Sequence, residues 1–265
     1  MPEKDYLWLH LRTLPYFRSL MRSIEARFYR DIELPAPTLD IGCGDGHFAS
    51  VAFNRPLDVG IDPWAAPIHE AVQWHSYQVL VQGDAGRLPF QDQYFSSAVS
   101  NSVLEHIPKL DDVLLETARV LKPSAPFIFC VPNHQFLDSL SIGQVLDKIS
   151  LHSLGNHYRA FFNRISRHYH SDSPETWLRR LEQNGFSVEK YWNYYPPEAM
   201  QVSEWGHYFG LPALITRKLT GRWILFPYRW NPFLRMLERY LKPYYEQAPI
   251  IETGVCTFYQ TWRQA

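Results

Sequence analysis

A glycine-rich turn at residues 38–46 carries the residues best suited to chemistry in this chain. The segment reads Thr-Leu-Asp-Ile-Gly-Cys-Gly-Asp-Gly, which is typical of a short buried strand that enters a tight turn and then a helix. Glycine allows positive φ angles and lets the backbone approach a ligand without a Cβ in the way. The free N–H groups at the start of the following helix attract a carboxylate or a phosphate. The turn therefore predicts a binding site for a nucleotide-like cofactor.

The spacing of the glycines separates two classes of cofactor. A dinucleotide site usually has the pattern Gly-x-Gly-x-x-Gly, but here Gly42, Gly44 and Gly46 alternate, and His47 stands where the third glycine should fall. Asp40 precedes the first glycine, and its charge would repel a pyrophosphate but suits a ligand with an ammonium and a sulfonium group. These residues favour S-adenosylmethionine. A dinucleotide-dependent oxidoreductase is the rival interpretation, and both features oppose it.

Acidic residues end the next two predicted strands. Asp62 lies about twenty residues beyond the turn, where an acid holds both hydroxyls of a ribose. The alternative is an ordinary turn aspartate before Pro63. Asp84 follows the third strand, and beside the small Ala85 it is placed to accept a hydrogen bond from an adenine amino group; a polar turn is its alternative. The order of these acids favours the cofactor roles.

A histidine follows the fourth predicted strand. Residues 101–107 emerge at the carboxyl edge of the sheet, where open α/β sheets bind ligands. His106 lies in this segment and is a candidate general base, because histidine titrates near neutral pH. Isolated histidines are more often structural or solvated, and that interpretation also stays open.

Strand and helix patterns alternate along most of the chain. The predicted helices cover residues 14–30, 111–121 and 174–184, and after the strand in the turn segment the predicted strands cover residues 57–62, 77–82, 95–100, 125–131, 186–194 and 253–262. Residues 134–173 break this rhythm, with only weak helical spacing. The alternation predicts a parallel sheet with helices on both faces.

Composition excludes several classes of protein. The net charge of −1 over 265 residues argues against a general nucleic-acid binder. Three widely separated cysteines predict neither a disulfide framework nor a zinc site, and they suit a reducing cytosol. Residues 1–5 lack a signal-peptide pattern, and no run of about 18 apolar residues predicts a membrane span. We expect a cytoplasmic protein; the sequence carries no signal for an oligomeric state.

The chain resembles the type 11 (UbiE-like) class I S-adenosylmethionine-dependent methyltransferases. Five segments match in order and spacing: LDIGCGDG (39–46), VGID (59–62), GDAGRLPF (83–90), FSSAVSNSVLEHI (95–107) and VLKPSAPFIFCVPN (120–133). The one departure is Ser124-Ala125, where the family usually has two glycines. That turn lies away from the cofactor, so the departure concerns loop shape more than binding.

The resemblance implies a fold and a set of cofactor contacts. The fold would be a Rossmann-like α/β domain, a seven-stranded mixed sheet with helices on both faces whose last strand is antiparallel. The cofactor-binding residues would be Asp40, Gly42 and Gly44 at the methionine end, Asp62 at the ribose, Asp84 and Ala85 at the adenine, and Asn101 beneath the sulfonium.

The segment after the fifth strand, residues 134–170, commonly covers the substrate in this family. The resemblance therefore makes His157, Tyr158 and His170 candidates for acceptor binding, and His134 the second candidate base after His106. The pair of His168 and His170 also suggests a metal. Because the sequence shows no obvious carboxylate or cysteine partner for the pair, we predict no metal site.

The chain divides into three predicted parts. An N-terminal helical segment covers residues 1–36, the methyltransferase domain covers 37–195 with 252–265, and a helical insert that caps the substrate covers 196–251. Within it, residues 205–245 hold seven Lys or Arg, one acid and eleven aromatic residues. This composition suits a cap packed on the sheet edge or contact with an anionic membrane or lipid-like substrate, with nucleic-acid bases least favoured.

Together these features predict an enzyme that transfers a methyl group by in-line displacement. The acceptor would be an oxygen, nitrogen or carbon atom of a small molecule, lipid-like, quinone-like or phenol-like, and the protein would mainly supply alignment and a dry pocket. The alternative is a non-catalytic protein that binds S-adenosylmethionine and acts as a scaffold or partner.

Overall fold

The N-terminal segment forms two helices. The computed structural model describes residues 4–265, apart from the side chain at position 211. Residues 1–3 lie outside the described residues. They include the start of the predicted segment 1–36 and part of the stretch 1–5 on which the expected absence of a signal peptide rests. Helix α1 (Tyr6–Leu11) was not predicted, since six residues are too few to establish a helical period. Helix α2 (Tyr16–Tyr29) lies within the predicted helix 14–30.

Seven strands form one mixed sheet, in the order β3-β2-β1-β4-β5-β7-β6. The strands are β1 (Thr38–Ile41), β2 (Leu57–Asp62), β3 (Tyr77–Gln82), β4 (Ser97–Asn101), β5 (Pro126–Pro132), β6 (Phe186–Tyr194) and β7 (Cys256–Arg263). Strands β1 to β5 pair in parallel, whereas β7 runs antiparallel between β5 and β6. The predicted seven-stranded sheet with an antiparallel last strand is confirmed.

Strand bounds follow the predictions closely, with one informative difference. The second, third and sixth strands have the predicted bounds, but the fourth begins at Ser97 rather than Phe95. Phe95 is fully buried and forms an isolated bridge with Leu121. A buried aromatic residue next to a strand has the same pattern as the strand itself, so the sequence could not separate the two.

Helices cover both faces of the sheet. Those that follow α2 are α3 (His47–Ala52), α4 (Ala65–Ala71), α5 (Leu110–Val120), α6 (Ser141–Lys148), α7 (His152–Ser166), α8 (Pro174–Gln183), α9 (Pro197–Phe209), α10 (Leu211–Thr220) and α11 (Pro232–Tyr245). Alternate side chains of β5 divide between two cores: Ile128 joins the cluster with α2 and α9, and Phe127 joins the cluster with α5 and α8. The predicted layers on both faces are therefore present.

The two specialised segments are mainly helical. Residues 134–173, where the sequence indicated only weak helical spacing, contain α6 and α7. The insert 196–251 contains α9, α10 and α11, and α9 lies against α2 through ring contact between Phe17 and His207 at 4.5 Å. The division into three parts stays a prediction. No helix among residues 4–265 is both long and apolar enough to cross a membrane.

A buried carboxylate joins α2 to the sheet. Glu25 is fully buried, and its two oxygens accept hydrogen bonds from Arg22 (2.7 Å), Asn101 (2.6 Å), Ser102 (2.9 Å) and Tyr194 (3.0 Å). Two of these donors follow or end β4 and one ends β6. The carboxylate therefore sets the position of α2 over the carboxyl ends of the strands.

We expect Glu25→Ala to lower the free energy of unfolding by about 3–5 kcal/mol, because it removes a fully buried carboxylate and leaves its four donors, among them the partly buried Arg22, without their partner. Urea unfolding followed by far-ultraviolet circular dichroism measures the change. The matched control is Asp31→Ala, since the Asp31 side chain just past the same helix is 77% exposed and should cost less than about 0.5 kcal/mol. Equal losses in the two variants would contradict a tethering role for Glu25.

Candidate active site

The glycine-rich turn has the predicted conformation. Gly42 and Gly44 have φ angles of +76° and +54°, and a Cβ on Gly42 would lie 2.4 Å from Cγ1 of Val103. The N–H groups of Gly42 and Cys43 donate to the carbonyl oxygen of Ile61, at 2.8 and 3.0 Å. The turn is thereby held against the end of β2, and only glycine fits position 42.

Asp62 is fixed beside the same turn. Its two carboxylate oxygens accept hydrogen bonds from the backbone N–H groups of Gly44 (3.1 Å) and Trp64 (2.9 Å). Burial raises the pKa of this carboxyl, and the two N–H donors act in the opposite direction. The donors also set the orientation of the carboxylate, so Asp62 presents a fixed acceptor at the end of β2.

A cavity of about 750 Å³ opens at the carboxyl ends of β1 to β4. This volume lies within the range of small-molecule sites. Six of the seven predicted cofactor-binding residues and the predicted first base line it: Gly42, Gly44, Asp62, Asp84, Ala85, Asn101 and His106. The structure thus brings together residues that the sequence places at the ends of four different strands.

Asp40 is placed differently from the prediction. It is 5% exposed, lies behind the turn rather than at the cavity wall, and accepts a hydrogen bond from the Tyr77 hydroxyl at 2.6 Å. The Tyr77 ring reaches it across Gly60, where a Cβ would be only 2.9 Å from that ring. Burial raises the pKa of Asp40 to about 7. Asp40 therefore supports the turn from inside the sheet and is not among the residues that line the cavity.

A second cavity of about 280 Å³ adjoins the first and shares Arg18, Arg22, Ser102 and His106 with it. Its apolar lining residues are Phe17, Met21, Phe136, Ile165 and Met200, and its other polar lining residues include Glu105, His168 and His207. The sequence predicted a site role for His106 and raised one for His168, and the segment 134–170 that was expected to cover the substrate supplies Phe136 and Ile165. It predicted no site role for the lining residues on α2 and α9. The signal that was available is on α2, where Phe17 with Met21 and Arg18 with Arg22 repeat at four-residue spacing.

The predicted acceptor-binding residues lie outside both cavities. His134 and His157 are exposed, and ring Nδ1 of His157 is 2.7 Å from the carbonyl oxygen of Ser153. The Tyr158 hydroxyl donates to the Glu204 carboxylate at 2.5 Å, in a network away from the cavities. Ring Nε2 of His170 is 3.0 Å from the carbonyl of Ile107. None of these four side chains lines either cavity.

Three titratable side chains meet where the two cavities join. Nε2 of His106 lies 3.7 Å from Oε1 of Glu105, and the His106 and His168 rings are 5.1 Å apart. Burial raises the pKa of Glu105 to about 8 and lowers that of His168 to about 3; burial also lowers the pKa of His106. At neutral pH the cluster therefore holds one protonated carboxyl and two neutral imidazoles. Glu105 is the carboxylate partner that sequence reasoning did not find.

Two arginines give the junction positive charge. The Arg22 guanidinium pairs with Glu25 at 2.7 Å. Arg18 forms no ion pair within 4.0 Å with any residue from 4 to 265, and its guanidinium lies 5.8 Å from the centre of the Trp223 ring. An anionic group in either cavity would therefore find an available counter-charge at Arg18.

Comparison with known proteins matches part of the chain. Residues 39–129 match the type 11 family model described as "Methyltransferase domain". The fatty-acid O-methyltransferase of Mycolicibacterium smegmatis is 38% identical over 97 residues, or 34% of this chain and 35% of that protein. The demethylmenaquinone methyltransferase of Lactobacillus johnsonii is 28% identical over 144 residues, or 46% of this chain and 59% of that protein. The matches thus span less than two thirds of either relative.

A solved structure resembles the whole chain. A protein from Thermotoga maritima described as a SAM-dependent methyltransferase superposes with a TM-score of 0.56, covering 94% of this chain and 91% of its own. Its sequence identity is 15%, so this likeness concerns the fold alone. The predicted Rossmann-like fold class is confirmed.

We expect Asp40→Asn to remove a pH-dependent part of the stability. Asp40 ionises near pH 3.8 when unfolded and near 7 when folded, so between these values the folded state binds one more proton. The free energy of unfolding of the wild type should therefore fall, relative to that of Asp40→Asn, by up to about 4 kcal/mol as pH rises from 4 to 8. Urea unfolding at a series of pH values measures this difference.

The matched comparison is Tyr77→Phe, which keeps the burial but removes the donor that favours the carboxylate. In Tyr77→Phe the pH-dependent loss of stability should therefore extend to higher pH than in the wild type. Parallel pH profiles for the wild type and Asp40→Asn would contradict the buried position of Asp40.

Proposed function

We propose that this chain, whose residues 39–129 match a methyltransferase domain, transfers a methyl group from S-adenosylmethionine to a small-molecule acceptor. One observation carries the proposal: a second cavity, apolar on one wall, adjoins the cavity at the ends of β1 to β4, and His106 lines both. Two adjoining cavities suit a cofactor and an acceptor that must meet at one point.

The first cavity fits the cofactor. The open side of Gly44, which has no other atom within 4 Å of a Cβ position, admits the methionine end. Asp62 would accept from the ribose hydroxyls, and Asp84 beside Ala85 would hold the adenine. Arg18 is available for the cofactor carboxylate. When bound, S-adenosylmethionine supplies an electrophilic methyl group.

The chain's own contribution would be alignment, exclusion of water and one proton transfer. Helices α2 and α9 cover the acceptor cavity, and alignment alone lowers a bimolecular barrier by several kcal/mol, about 7 or more in favourable cases. Burial lowers the pKa of His106, so its ring is neutral at pH 7 and able to accept a proton from a hydroxyl acceptor. We assign this role to His106 rather than to His134, which is exposed and outside both cavities.

The acceptor would have an apolar body. Phe17, Met21, Phe136 and Met200 supply most of the apolar wall of the second cavity. The two relatives described above are named for a fatty acid and for demethylmenaquinone, both of which carry long hydrocarbon chains. These observations support a lipid-like or quinone-like acceptor.

The insert would bring such an acceptor from a membrane surface. Segment 212–240 exposes large apolar side chains, which are Leu214, Ile215, Leu219, Leu225, Phe226, Tyr228, Trp230, Phe233, Met236 and Tyr240. Exposed Lys218, Arg222, Arg235 and Arg239 lie among them in the sequence. Apolar and basic residues together favour binding to anionic phospholipid. We call this segment the exposed arm, and we infer that it contacts anionic membranes peripherally.

The first test is methyl transfer from labelled S-adenosylmethionine into a whole-cell extract that is afterwards partitioned between organic and aqueous phases. We expect label in the organic phase.

Asp62→Ala should weaken cofactor binding in calorimetry by about 100-fold or more, through the loss of two charge-assisted hydrogen bonds. His106→Gln should keep the binding and lose about 100-fold or more in transfer to a hydroxyl.

The control variant is Asp92→Ala, whose side chain is 72% exposed and pairs with Arg119 on the surface. It should change neither quantity. Unchanged affinity in Asp62→Ala would refute the ribose assignment. Label confined to the aqueous phase would refute a lipid-like acceptor, and intact binding with no label would favour the non-catalytic alternative.

For the exposed arm, we expect the protein to sediment with vesicles of anionic phospholipid more than with zwitterionic ones. Leu219 and Phe226 are 79% and 60% exposed. Changing both to Glu should lower vesicle affinity at least about 10-fold, because it removes apolar area that the membrane would bury. Leu115→Glu is the control, since Leu115 on α5 is 55% exposed on another part of the surface. Equal losses in both variants, or no sedimentation by the wild type, would refute membrane contact.

A further inference from the structure

The cluster of Glu105, His106 and His168 is held together by backbone contacts between two distant segments. Glu105 and His106 belong to a single turn of 3₁₀-helix after β4, and His168 follows α7. The carbonyl of Glu105 accepts hydrogen bonds from the N–H groups of Tyr169 (2.7 Å) and His170 (3.2 Å). The three side chains are therefore positioned before any ligand arrives.

The cluster has donor atoms without partners. One ligand atom from each of the three residues lies within 4.8 Å of the other two. Glu105 is 2% exposed, and its Oε2 has no hydrogen-bond partner; the buried Nδ1 of His168 also has none. Buried polar atoms in folded proteins are nearly always paired, so two unpaired atoms within one three-residue cluster leave donor atoms available to a ligand.

The orientation of His106 matches that of a metal ligand. Its Nδ1 lies 3.1 Å from the carbonyl oxygen of Arg167, which can only accept a hydrogen bond, so Nδ1 carries the proton. Nε2 then keeps its lone pair, on the side of the ring 3.7 Å from the Glu105 carboxylate. Histidines that bind metals typically donate their other ring N–H to a backbone carbonyl in this way.

We propose that Glu105, His106 and His168 bind a divalent transition-metal cation at the junction of the two cavities. Two imidazole nitrogens and one carboxylate oxygen suit zinc, iron(II) or manganese. Of the two arginines that line the same cavity, Arg22 is balanced by Glu25 at 2.7 Å, whereas Arg18 keeps its positive charge unpaired among residues 4–265.

Three protein ligands leave coordination positions open toward the acceptor cavity. A cation there would bind an acceptor oxygen and stabilise its negative charge. This role rests on the proposed function, whereas the binding of the cation does not. With a cation bound, His106 would act by holding it, because its Nε2 lone pair would no longer be free to accept a proton.

The test is titration of the chelator-treated full chain with Co²⁺, whose visible absorption reports the coordination of the bound ion. We expect saturable binding of one ion per chain. Glu105→Gln and His168→Ala should each weaken binding more than about 100-fold, beyond the loss usual for a residue that only orients a ligand. The matched controls His134→Ala and His157→Ala, at exposed histidines outside both cavities, should leave it unchanged.

Circular dichroism of each variant without metal establishes that it is folded, and Glu105→Gln preserves the shape of the side chain if His168→Ala does not fold. The proposal is overturned if the wild type binds no Co²⁺ at one ion per chain, or if the control variants weaken binding as much as the cluster variants. S-adenosylmethionine affinity, measured separately by calorimetry, tests the proposed function without the metal, so the two can fail independently.

Discussion

The buried carboxylate of Glu25 is the contact on which both cavities depend. It accepts hydrogen bonds from Arg22 on its own helix, Asn101 and Ser102 at β4, and Tyr194 at the end of β6. Because α2 carries part of the lining of each cavity, the position of that helix determines their shape. A buried charge is stable only when its donors are present, so the helix, the strand ends and the cavity walls must form together.

The family match and the acceptor cavity involve different parts of the chain. The matched residues 39–129 contain β1 to β4 and the loops that line the larger cavity. The apolar wall of the smaller cavity comes from α2, α7, α9 and the segment after β5, all outside the match. Similarity to the methyltransferases therefore supports a cofactor site strongly and says little about the acceptor. Acceptor specificity would depend on the helices outside the matched residues.

The residues that the sequence predicts for the cofactor site line the larger cavity where they lie at or just beyond a strand end. Asp62, Asp84 and Asn101 each follow or end a strand, and parallel strands bring their carboxyl ends to one edge, so the chain order alone predicts that these residues meet. Asp40 lies inside β1, where the position of its side chain depends on which residue of another strand packs beside it. Tyr77 does so across Gly60, and this contact between strands is invisible in the local pattern.

Alone, the sequence determined the class of fold, the order of the strands along the chain and the place of the larger cavity, because these follow from short-range periodicity and from turn chemistry. Only the tertiary structure decided which histidines face the acceptor cavity. His106 and His168 are brought together by hydrogen bonds between the 3₁₀ turn after β4 and the segment after α7, whereas His134, His157 and His170 line neither cavity. The residues next to a histidine in the sequence do not show where its side chain lies. The position of the side chain is set by a partner that is far away in the chain.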